Sequence, residues 1–257
     1  MNLKPYLTFI KRLPVKIVRN VKKIINRNKK TLFLSFGENC LPDNILARHS
    51  VKSFSTPYAS GRSNIEYILQ IEKDGFQDFL NPEFMQYHDL GKKKVVRLSK
   101  YDRIENTYYP LHSNGFEFTH HDVLQNKRAR HTIAKRAKRM LGLKNKQVNI
   151  FYHSRYNEHT DETLLLRHLA ELKKIYEARC QAVNVFMFTQ RIVSDIKERK
   201  VEHEIKNGIH IYKFHTLHIW EGDNEDIFWA RCDDDLIKTM VNDAKKAKIS
   251  TRNPHIS

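Results

Sequence analysis

TLFLSFGENCLPDNILAR, Thr31–Arg48, is the stretch on which the fold of this 257-residue chain turns. Leu32-Phe33-Leu34-Ser35-Phe36 is a short, sharply bounded apolar run, the pattern of a buried strand. Gly37 supplies the tolerance a tight turn needs, and helical spacing resumes at Leu41, Ile45 and Leu46 with Pro42 in the first turn. Cys40 is thereby placed at a strand-turn-helix corner. Free N–H groups and the helix dipole there favour a thiolate. The competing reading is a small buried hydrophobe, the commoner fate of a lone cysteine.

Outward from this corner the chain alternates strands and helices. Val148–Tyr152 reads as a strand. Thr160–Arg179 reads as a helix with Asp161 and Glu162 in its first turn and Leu165, Leu169, Leu172 and Tyr176 as its buried stripe. Val183–Phe188 is the next strand, residues 192–203 are polar and read as helical, and Ile209–Phe214 follows the Asn207-Gly208 turn. Asp233–Lys248 is a terminal helix, acidic at its start and basic at its end. Before these, Asn64 caps a short helix through Ile65, Ile68 and Leu69. Residues 87–119 are mostly loop, with strands only at Val95-Val96 and Phe116–Phe118. The expected fold is α/β, a mostly parallel sheet with helices on both faces.

Charge divides the chain. Residues 1–30 contain ten Lys or Arg and no acid, out of a net +17. Their aliphatics (Leu3, Leu7, Ile10, Ile17, Val21, Ile24) share a helical face that Pro14 interrupts, which predicts a basic amphipathic helix on an anionic membrane surface. We therefore expect residues 1–30 to form a tail and 31–257 a single domain, cytoplasmic and peripheral at the inner face of the membrane. No apolar run is long enough to span a bilayer, and three cysteines without a paired motif suit a reducing compartment. A second basic helix is predicted over 122–141, with Asp122 as a possible cap. It holds no interleaved aromatics, so a solvated face is favoured over nucleic-acid binding. The absence of Gly-x-Gly-x-x-Gly, Walker and His-Glu-x-x-His patterns argues against any cofactor or metal.

Ligands of open parallel sheets bind beyond the strands' carboxyl ends. The residues just past each predicted strand are Glu38-Asn39-Cys40, His153-Ser154-Arg155, Thr189-Gln190-Arg191 and His215-Thr216-Leu217-His218. A thiol, imidazoles and guanidiniums in one crevice would suit attack on an acyl group, with Asn39, Arg155, Arg191 and His218 as candidates to bind substrate. Trp220 and Trp229 read as lid or packing residues, and Asp223 is a remote candidate orienter.

SFGENC at Ser35–Cys40, TPYASGRSNIEYILQ at Thr56–Gln70 and GFQDFL at Gly75–Leu80 together resemble a bacterial domain family of unknown function, named for papain-like cysteine peptidases. The likeness runs from Leu32 to Phe188 and lies in the order and spacing of its blocks. It implies a Cys40 nucleophile and, through Phe118-Thr119-His120, a His120 base. His121 is an alternative base and Asp122 a possible orienter. The family's name implies peptidase activity, while membrane location and a reducing compartment make acyl transfer to a lipid-linked glycan equally reasonable, so the expected partner is a small-molecule, peptide or glycan acyl substrate. The family has Asp-Trp after Pro-Phe where this chain has Ala59-Ser60 after Pro57-Tyr58, as a non-catalytic binding or scaffold protein of the same fold would. The family's name implies papain's antiparallel architecture; the strand-helix alternation here implies a parallel sheet instead.

Overall fold

The computed structural model describes residues 30–91, 93–100, 115–155, 160–220 and 228–247. The tail expected over residues 1–30 falls outside them except for Lys30.

Five strands form the main sheet: β1 (Thr31–Gly37), β5 (Gln147–His153), β6 (Ala182–Ile192), β7 (Lys200–Lys206) and β8 (Ile209–Thr216). Their order is β1-β5-β6-β8-β7, parallel except for β7, which pairs antiparallel with β8. Alternation along each strand loads both faces. Leu34, Ile150, Val185 and Ile211 point into one apolar cluster, and Phe151, Phe186 and Phe214 into the other.

Helices α2 (Ile65–Lys73), α3 (Lys127–Leu141) and α4 (Glu162–Glu177) cover the first face, and α1 (Leu41–Arg48) and α5 (Asp234–Lys246) the second. Helix α4 starts where Asp161 accepts from Leu164 N–H, and its expected stripe of Leu165, Leu169, Leu172 and Tyr176 is fully buried. Asn64 caps α2 by accepting from Tyr67 N–H. The mostly parallel sheet covered on both sides is the architecture the alternation predicted.

Two segments depart from expectation. Residues 192–203 are not a helix: β6 runs on to Ile192, a single turn follows at Ile196–Glu198, and β7 begins at Lys200. With only two of its seven residues even half-buried, β7 reads as polar, yet Asn207-Gly208 folds it back onto β8 with both residues at positive φ. Residues 85–118 hold more strand than expected. β2 (Met85–Asp89), β3 (Lys94–Leu98) and β4 (Phe116–Phe118) make a three-stranded antiparallel sheet. Its Val96, Leu98, Phe116 and Phe118 share the cluster of α2 and α4. Among the described residues no helix is long and apolar enough to cross a membrane.

Candidate active site

The Cys40 corner is shaped by contact between β1 and β5. Gly37 lies opposite His153 in register and has φ +128°. A Cβ on it would sit 2.6 Å from the His153 carbonyl oxygen, so only glycine fits. The chain then turns: Glu38 N–H donates to the His153 carbonyl (3.2 Å), and Cys40 becomes the N-cap of α1.

Side chains of the two strand ends interlock. Asn39 Oδ1 accepts from Leu41 N–H (3.0 Å) and lies 3.1 Å from His153 Nδ1, so that nitrogen carries the imidazole proton. Asn39 Nδ2 is buried with no partner. Glu38 accepts from Ser154 Oγ (3.2 Å) and Arg155 N–H (3.0 Å). Burial pushes the Glu38 carboxyl up to about 8, against the pull of those donors and of the Arg155 charge. Burial likewise takes His153 down to about 3, with Arg155 adding to it, so His153 is neutral.

Of the two sequence readings of Cys40, an ionised thiol and a small buried hydrophobe, its surroundings favour the second. Burial raises its pKa above the ordinary thiol value, and Asp43 adds to that rise; its backbone hydrogen bond and the charges of Lys93 and Arg155 oppose it without reversing it. Cys180 and Cys232 are pushed up further, to about 11, both chiefly by desolvation.

A second wall comes from the small sheet. Arg62 pairs with Glu117 of β4 through both backbone hydrogen bonds (2.9 and 3.0 Å), Thr119 Oγ1 donates to the Ser60 carbonyl (3.3 Å), and Ser63 Oγ donates to the Gly37 carbonyl (3.0 Å). Residues 60–63 thus tie the strand end bearing His120 to the Cys40 corner. Partial burial lowers His120, and so does Lys93, whose charge also reaches Cys40. His120 and His121 line a cavity of about 640 Å³ with Tyr87, Lys94, Phe118 and Asp122. Arg136 of α3 donates to Ser60 Oγ (2.9 Å) and, after burial, is the main charge lowering His121.

Asn39, Cys40 and Arg155 thus lie at one corner, and His120 and His121 follow β4, which residues 60–63 tie to that corner; among the described residues Cys40 makes no hydrogen bond to either histidine. Asp122 hydrogen-bonds the Tyr87 hydroxyl and the N–H groups of Leu124 and Gln125, and neither histidine is among its partners. Nor does it cap α3, a role taken by Asn126. Arg191 and His218 sit at the ends of β6 and β8, two and three strands away from β1. Arg191 lines an open cavity there with Lys197, Lys200 and His215. Trp220 is packing: it is buried against Phe188 and Phe214 and donates to Asp233 (2.7 Å). Asp223 falls outside the described residues. Sequence reasoning placed His153 beside the crevice but gave it no role; its signal was its position at the end of β5, where β1 must turn against it.

A cysteine opening a helix and a histidine leaving an antiparallel strand are what the papain-like resemblance implied, mounted here on a parallel main sheet. Residues 31–191 match the family model described as "Putative papain-like cysteine peptidase". No curated protein and no solved structure matches the chain.

Proposed function

The chain belongs to the family of putative papain-like cysteine peptidases, and from that premise we propose that it is a thiol-dependent acyl hydrolase or acyltransferase with Cys40 as nucleophile and His120 as base. The observation that carries this reading is the tie through residues 60–63 between the Cys40 corner and the strand end bearing His120. His120 takes the thiol proton, the sulfur attacks the acyl carbonyl, and the leaving group departs with that proton to give a thioester. Water or an acceptor hydroxyl then releases the acyl group. His153 is the poorer base, since a group held near 3 binds a proton too weakly; it acts as a positioning residue for Asn39. Asn39 Nδ2 and Arg155 supply donors for the oxygen that gains charge.

Residues 1–30 hold the enzyme at the inner face of the membrane, and cell-surface glycan precursors assembled there are acyl acceptors or substrates that fit this location. A raised Cys40 pKa and Ala59-Ser60 support the other reading, a binding or scaffold protein of the same fold. An activated ester decides between them. With p-nitrophenyl acetate, intact-mass spectrometry should find an acetyl adduct on Cys40 that Cys40→Ser loses. His120→Ala should slow its formation by about 10²-fold. Acetylation no faster than that of Cys232 would establish the scaffold reading, and undiminished acetylation of His120→Ala would remove His120 as base.

A further inference from the structure

The net +17 of the chain divides into +10 from residues 1–30, +9 from residues 127–146 and −2 from the remaining 207. Within the domain, the whole positive excess therefore belongs to α3 and the turn after it. Two of its nine cations serve the fold: Arg130 donates to the Val123 and Leu124 carbonyls, and Arg136 to Ser60. Lys127, Arg128, Lys135, Lys138 and Lys144 are exposed and have no carboxylate partner among the described residues, while Arg139 lies over the Phe54 ring. Elsewhere the pattern is the reverse. Arg48 pairs with Asp234, Arg97 with Glu117, Arg199 with Asp233, and Lys206 and Lys213 with Glu162.

Unpaired like charges along one helix of about 22 Å repel one another, and an anionic surface relieves that repulsion. We propose that the exposed face of α3 docks on an anionic lipid bilayer as a contact separate from residues 1–30. Two observations favour lipid over nucleic acid. α3 has no Phe, Tyr or Trp to stack on bases, His131 being its one ring, and its last residue, Leu141, is 42% exposed, an aliphatic contact for the headgroup region. The opposite side of the same helix holds Ser60 through Arg136 and acts on His121. Docking α3 therefore sets the His120–His121 wall next to the membrane. That orientation rests on the proposed site; the docking itself does not.

The full-length protein is sedimented with vesicles of 30% phosphatidylglycerol in phosphatidylcholine, and with phosphatidylcholine alone. Lys127→Glu, Arg128→Glu, Lys135→Glu and Lys138→Glu combined should cut binding to the anionic vesicles at least about tenfold, because each basic residue near the surface is worth about fivefold. The four corresponding exchanges of Lys for Arg or Arg for Lys should bind as wild type, and unchanged circular dichroism shows that the reversed variant folds. Reversing Lys173, Lys200 and Lys206, which have carboxylate partners, should change binding less than twofold. Wild-type binding by the α3 variant would overturn the proposal. So would displacement from the vesicles by a stoichiometric 20-base-pair duplex, which would assign the face to nucleic acid. Acetylation of Cys40 is read without vesicles, so failure of the acyl reading and failure of the docking face are separate results.

Discussion

The main sheet has two edge strands, β1 and β7, and it protects them by opposite means. β1 is covered: Ser53 Oγ accepts from Phe33 N–H (3.0 Å), Thr56 Oγ1 donates to the Ser35 carbonyl (2.7 Å), and Ser63 Oγ to the Gly37 carbonyl. β7 is open and charged, with Lys200, Glu202, Glu204 and Lys206 in ion pairs at the surface. Both devices stop edge-to-edge association. Only the first adjoins the candidate site, because the covering segment, residues 53–63, also bonds to the small sheet at Glu117 and Thr119, where the chain leaves it toward His120.

The contrast is broken most severely at Gly37. Gly37→Ala meets the His153 backbone and requires a strained φ, so it should cost about 3 kcal/mol in urea unfolding. Gly208→Ala, in the β7–β8 hairpin, also has positive φ but meets only the flexible end of Lys173, and should cost about 1 kcal/mol. Equal losses would mean that the β1 corner is no tighter than the exposed edge.

A pH effect follows, smaller per pH unit than the loss at Gly37. Glu38 binds its proton more tightly folded (about 8) than at its ordinary value of 4.5. The native state therefore holds the extra proton between those values, and stability falls as pH rises through them, by up to about 1.4 kcal/mol per unit. Glu38→Gln should flatten that slope; an unchanged slope would place the buried proton elsewhere.

Thr56→Val removes one hydroxyl from the cover of β1 and should cost about 1–2 kcal/mol, read from the denaturation midpoint. The smallest effect belongs to β7: Glu204→Gln, which loses exposed pairs with Lys206 and Lys213, should leave that midpoint unchanged. A clear loss there would show that the charged edge also supports the fold.

What the sequence by itself determined is local. The β1–Gly37–α1 corner, the Asn64 cap, the start of α4 at Asp161 and the β5–α4–β6 unit were all legible, because periodicity, caps and turn residues act within a few positions of one another. What only the tertiary structure decided is non-local. β7 was missed because an exposed edge strand carries charges instead of alternating hydrophobics, and β2 because its residues are mostly exposed. The sequence put four strand ends into one crevice; strand order separated Arg191 and His218 from Cys40. It set a thiolate at the helix terminus beside the commoner buried thiol, whereas the sign of the Cys40 shift followed from how much protein packs around the sulfur. Desolvation and strand pairing depend on residues more than a hundred positions away, such as His153 against Gly37, and no short window of sequence contains them.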